Sequence, residues 1–163
     1  MLFSAISRLG GVSTTSTPKT PEQSRQEALS YLSDHIKEYL GVYKGFGSSL
    51  ISVSFDDKKS MLLVDVVGTD DSDKLKKDIK SVLSWANVYC SGDSLPCKSV
   101  YIRTHTLGEG MDKYGNKNKT DDVRYKLYYS AIELKKVNFD TITPDLAANL
   151  YNSDKSDGPI LGF

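Results

Sequence analysis

The chain has 163 residues, 39% of them hydrophobic and ten of them tyrosine, which is enough for one domain with a proper core. Twenty-one basic residues balance twenty-one acidic ones, so no overall field draws the protein toward nucleic acid or a lipid surface. No run approaches the roughly 18–20 apolar residues of a membrane span, so no membrane association is expected.

Residues 1–20 hold eight Ser or Thr, two adjacent Gly and no acid, a composition that suits an extended arm better than a core. The opening apolar run is short and broken by Arg8, which is poor for a secretory signal. The expected setting is therefore the cytoplasm or a virion. Leu2, Phe3 and Ile6 give this arm a small apolar cluster at its far end.

Thr20-Pro21-Glu22-Gln23 supplies an N-cap, a proline at the first helical position and a capping-box partner. Leu29, Leu32, Ile36 and Leu40 then recur at helical spacing, predicting a first helix over 21–40 that stops at Gly41. The alternation of Ile51, Val53 and Phe55 with serines predicts a half-buried strand over 50–55. Residues 61–67 are apolar on both faces, as expected of a central strand. Asp70, Asp71 and Asp73 cap a second helix over 73–88, with Leu75, Ile79, Val82, Leu83 and Ala86 on one face. Its other face, Lys74, Lys76, Lys77, Asp78 and Lys80, reads as solvated surface.

Cys90 and Cys97 are close enough in sequence for a disulfide to close their loop, yet match no zinc or redox spacing; the sequence leaves bridging open. Two long strands follow, over 99–107 and 123–134, separated by a Gly-, Asn- and Asp-rich segment over 108–122 that reads as a long exposed loop containing Tyr114. Thr143-Pro144-Asp145 caps a short last helix through Tyr151. The tail closes on Ile160-Leu161-Gly162-Phe163, a second apolar cluster behind a polar spacer. The organisation is a 1–20 arm, a 21–151 core domain and a 152–163 tail. The predicted class is α+β, order α-β-β-α-β-β-α, with helices on one face of a mainly antiparallel sheet.

Chemistry is hard to build from this inventory. The two histidines, His35 and His105, have no adjacent nucleophile motif, and Gly45-Phe46-Gly47 precedes a strand rather than a phosphate-binding helix. The paired aspartates sit at turns and caps. No catalysis, metal or cofactor is expected. One surface is more suggestive: Tyr101, Arg103 and His105 alternate along one hairpin strand, and Arg124, Lys126 and Tyr128 along the other. Brought together they would form a basic, aromatic face able to contact phosphates and stack bases, although an exposed sheet face explains them as well.

The element order resembles that of two groups of small assembly proteins, the tail-terminator and neck proteins of tailed bacteriophages and the type III secretion chaperones. The resemblance is of order alone; it implies an assembly role or a chaperone role and assigns no residues. The leading expectation is a non-catalytic subunit, homo- or hetero-oligomeric, that binds neighbouring proteins through its terminal arms and the 108–122 loop. The alternatives are nucleic-acid binding by the hairpin face and a small secretion or assembly chaperone.

Overall fold

The computed structural model describes residues 18–42, 49–111 and 113–152. Helix α1 (Pro21–Val42) starts on the reciprocal cap that its sequence specifies. The Gln23 amide donates to Thr20 Oγ1 at 3.2 Å, and the Thr20 amide donates to Gln23 Oε1 at 2.9 Å, so two end donors are satisfied at once. The helix buries Ala28, Leu32, Ile36 and Leu40, one residue per turn.

Strands β1 (Ser49–Asp56) and β2 (Met61–Val67) form a hairpin, and helix α2 (Ser72–Cys90) follows. Strands β3 (Ser99–Met111) and β4 (Lys117–Ser130) form a second, much longer hairpin. Helices α3 (Ala131–Leu134) and α4 (Pro144–Ala148) close the described chain. Sheet order is β1-β2-β3-β4. Both hairpins are antiparallel, while the central β2–β3 pair is parallel because α2 carries the chain back to the start of the sheet. The mainly antiparallel sheet with a central β2 therefore holds, with one parallel pairing at its middle.

The core lies between the helices and one sheet face. Leu62, Val64, Val66, Val100, Ile102, Leu127 and Tyr129 point into it, against Leu32, Ile36, Leu75, Ile79 and Leu83. Each fully buried side chain of this size contributes roughly 1.5–3 kcal/mol.

Four expectations need correction. The segment over 108–122 is mostly ladder rather than loop: β3 and β4 stay in register from Leu107↔Asp121 to Met111↔Lys117, and the chain reverses only between Met111 and Lys117. Backbone pairing needs no apolar side chains, so a polar, glycine-bearing stretch can still be strand. The second strand ends at Ser130, where Ala131–Leu134 turns into α3; this accounts for the apolar phase shift to Ile132 and Leu134. The polar face of α2 is not all solvated. Lys76 and Asp78 are buried, since the segment around α4 lies over them: Lys76 Nζ meets Asp145 Oδ1 at 2.8 Å and Lys80 Nζ donates to the Ile142 carbonyl at 2.7 Å. The last helix stops at Ala148 rather than Tyr151, its start fixed by Thr143 Oγ1 accepting from the Leu146 amide at 3.3 Å. The bridging left open by the sequence is also answered: Cys90 and Cys97 form a disulfide that ties the end of α2 to the approach to β3.

Candidate functional site

Because side chains alternate across a strand, residues one position off the core line the opposite face of the sheet. Tyr101 lies opposite Tyr128 and Arg103 opposite Lys126, so the register brings four of the sequence-selected residues onto this face, with His105 two positions further along. Tyr101 and Tyr128 meet as a tilted pair, centroids 6.5 Å apart. Arg124 departs from the group. It falls at the register shift beside Thr104/His105, lies over the Tyr125 ring at 5.3 Å and donates to Asp70 Oδ1 at 2.7 Å.

At the centre of the face is Asp65 on β2, 7% exposed. Arg103 donates to it through both Nε, at 2.5 Å, and Nη2, at 2.7 Å, and Ser52 Oγ donates to Oδ2 at 2.9 Å. His105 bridges onward, its Nε2 at 3.3 Å from Asp65 Oδ1 and its Nδ1 at 2.7 Å from Asp121 Oδ1 on β4. Burial alone pushes the Asp65 carboxyl up, but hydrogen bonds from Arg103, Ser52 and His105, together with the Arg103 charge, hold it below the usual carboxylate range. Arg103 is raised in turn, chiefly by its hydrogen bonds to Asp65.

This cluster links all four strands; it is not arranged as a nucleophile and its base. The Ser52 hydroxyl donates to Asp65 rather than to His105, so nothing here draws a proton from a serine. Nor does the face offer unmatched positive charge at its arginines, since Asp65 neutralises Arg103 and Asp70 neutralises Arg124. Among the described residues no cluster of three or more His, Cys, Asp or Glu is arranged to hold a metal ion, and no helix is long and apolar enough to cross a membrane. The sequence reading passed over Asp65 and Ser52 and took the Asp121-Asp122 pair for turn residues, whereas both lie within β4. The available signal was a lone aspartate inside an otherwise apolar central strand, which must find partners if it is buried.

The second feature is the outer half of the β3–β4 hairpin. Strand β2 stops pairing at His105, yet β3 and β4 continue for six further pairs, from Thr106↔Asp122 to Met111↔Lys117. At about 3.3 Å per residue the result is a two-stranded arm roughly 20 Å long, extending beyond the sheet with neither edge paired among the described residues. It carries large apolar side chains in solvent: Leu107 is 58% exposed, Met111 75% and, at the tip, Tyr114 76%. Leu107, Glu109 and Met111 continue the face begun by Tyr101, Arg103 and His105, with Lys117, Lys119 and Asp121 opposite them. Tyr114 thus lies at the exposed tip of the hairpin. Leu2, Phe3, Ile6, Ile160, Leu161 and Phe163 lie outside the described residues.

Two smaller features complete the surface. His35, half-buried, stacks on Trp85 at 4.3 Å across the α1–α2 seam. A groove between the start of α1 and β1 is lined by Glu22, Arg25, Phe55 and Asp57, where Arg25 pairs with Asp57 and lies 5.4 Å over the Phe55 ring. No protein-family model, curated protein or solved structure matches the chain.

Proposed function

We propose that this chain is a non-catalytic assembly subunit that binds neighbouring protein subunits through its β3–β4 arm and its terminal segments, as a component of a virion tail or neck would. The arm is the observation that carries the reading. An isolated two-stranded ribbon is marginally stable in water, and a third strand or a packed surface is what stabilises it. Exposed Leu107, Met111 and Tyr114 on such a ribbon are costly ornaments for a free monomer and natural anchors for a protein contact. The apolar clusters at Leu2-Phe3 and Ile160-Leu161 would add contacts of the same kind.

The test replaces Leu107, Met111 and Tyr114 together with serine. The core is untouched, so the melting temperature should stay near that of the wild type, while the large complex expected of the wild type on native-size chromatography should be lost. A triple variant that still migrates in a complex of unchanged size and composition refutes the arm as the binding element.

A further inference from the structure

Among the described residues the arm has a free backbone edge along β4, and its residues there are complementary to themselves. We propose that this edge pairs antiparallel with the same edge of a second copy, on a two-fold axis at Thr120, joining two arms into one four-stranded ribbon. The inference rests on the assembly reading and names the neighbour across this edge. Side chains directly opposite each other in an antiparallel pair share a face, so a symmetric pairing centres on a residue. Centred on Thr120, Lys119 of each copy faces Asp121 of the other, twice by symmetry, and Thr120 faces its own copy. Other centres do worse. An axis at Lys119 sets two lysines in opposition, an axis at Asp121 or Asp122 sets two aspartates, and an axis at residue 118 sets Lys117 against Lys119 twice. Thr120 is the one position from 118 to 122 that opposes no like charges.

The geometry accommodates this register. Lys119 is exposed, and the Asp121 side chain is 58% exposed although its Oδ1 already meets His105. Glu109 lies opposite Lys119 within the arm, so the row across the joined ribbon would alternate acid, base and acid. The other edge of the arm, along β3, offers nothing comparable: Glu109 stands between Gly108 and Gly110 as its lone charge. Pairing over 117–123 also sets the two cores at opposite ends of the ribbon.

Charge reversal in the full-length chain tests this by sedimentation velocity. The wild type should reach a dimer as its concentration is raised. Lys119→Asp alone opposes aspartates twice, and Asp121→Lys alone opposes lysines twice; each should weaken self-association by roughly tenfold or more. Mixing the two variants restores both opposite-charge pairs, and a heterodimer should form where neither variant dimerises. A wild type that stays monomeric at high concentration, single variants that still dimerise, or a mixture that does not associate would overturn the proposal. A monomeric wild type would leave the assembly reading standing on the Leu107, Met111 and Tyr114 test, which reads contacts with other subunits instead.

Discussion

Replacing Asp65 with asparagine keeps the size of the side chain and removes the charge on which the open face converges. Arg103 would then meet an amide that can accept at one atom only, so one of its two contacts becomes donor against donor. A hydrogen bond to a charged group contributes about 1.5–3 kcal/mol, and the Ser52 contact can survive on the amide oxygen. The Arg103 side chain is 37% exposed and rehydrates once released, which lowers the cost. The expected loss is roughly 2–3 kcal/mol. Arg103→Met should cost at least as much, because it leaves a buried carboxylate short of its main partner. The double variant should be less destabilised than the sum, with a coupling of about 1–2 kcal/mol. Guanidinium unfolding midpoints at constant slope give all four corners of the cycle.

The same carboxyl makes a pH prediction. Its folded-state pKa lies below the unfolded value of about 4, so its stabilisation is complete above that value and is lost as pH falls through the lower, folded one. The wild type should lose stability below about pH 4 more steeply than Asp65→Asn. A coupling indistinguishable from zero, or superimposable acid limbs for the two proteins, would show that Asp65 and Arg103 are neighbours without being partners.

Tyr129 is fully buried and its hydroxyl donates to the Ala148 carbonyl at 3.1 Å, holding α4 against the core. Tyr129→Phe should cost about 1–2 kcal/mol in thermal unfolding, since the carbonyl is left buried without its donor; no change would mean α4 is held by packing alone. Replacing both Cys90 and Cys97 with serine opens a loop of sequence separation 7, for which chain entropy gives roughly 2–3 kcal/mol. An unchanged denaturation midpoint, or two free thiols in the untreated protein, would refute the bridge.

Much of this architecture is legible because burial imposes a period. Leu32, Ile36 and Leu40 mark a helix face, and the unbroken apolar run of β2 marks a strand with neighbours on both sides. The Thr20–Gln23 box is legible for another reason: its two hydrogen bonds are local and demand specific side chains. The arm is not legible because none of its described residues is buried. Its ladder is held by backbone groups, which carry no sequence signal. Its glycines mislead further, since Gly108 sits in a strand, where a Cβ would come within 2.8 Å of Thr120 Oγ1; glycine there serves close cross-strand approach. Only Gly115, at φ +84°, takes the left-handed conformation that turn glycines suggest. The face of Tyr101, Arg103, Lys126 and Tyr128 follows from alternation, but the ion pairs that neutralise its arginines come from Asp65 and Asp70, distant in sequence. The Cys90–Cys97 bridge and the covering of Lys76 are likewise tertiary facts.

The balance of charge in the sequence reappears at short range in the fold. Arg103 lies on Asp65, Arg124 on Asp70 and His105 between Asp65 and Asp121, so the open face meets its charges within the chain and steers little toward itself. Those contacts do a different job. Asp65 joins β1, β2 and β3 through Ser52 and Arg103, and His105 carries the connection to Asp121 at the base of the arm. The polar network therefore stiffens the platform from which the arm extends, just where β2 stops supporting it. A rigid base lets a ribbon present its edge and its apolar side chains at a fixed angle, which lowers the ordering cost of any contact it makes. Among the described residues, what remains unmet lies beyond that base: backbone donors and acceptors along both edges, and Leu107, Met111 and Tyr114 in solvent. Recognition by such a surface depends on strand pairing and shape, with charge selecting the register. The proposed subunit contacts would draw on that chemistry.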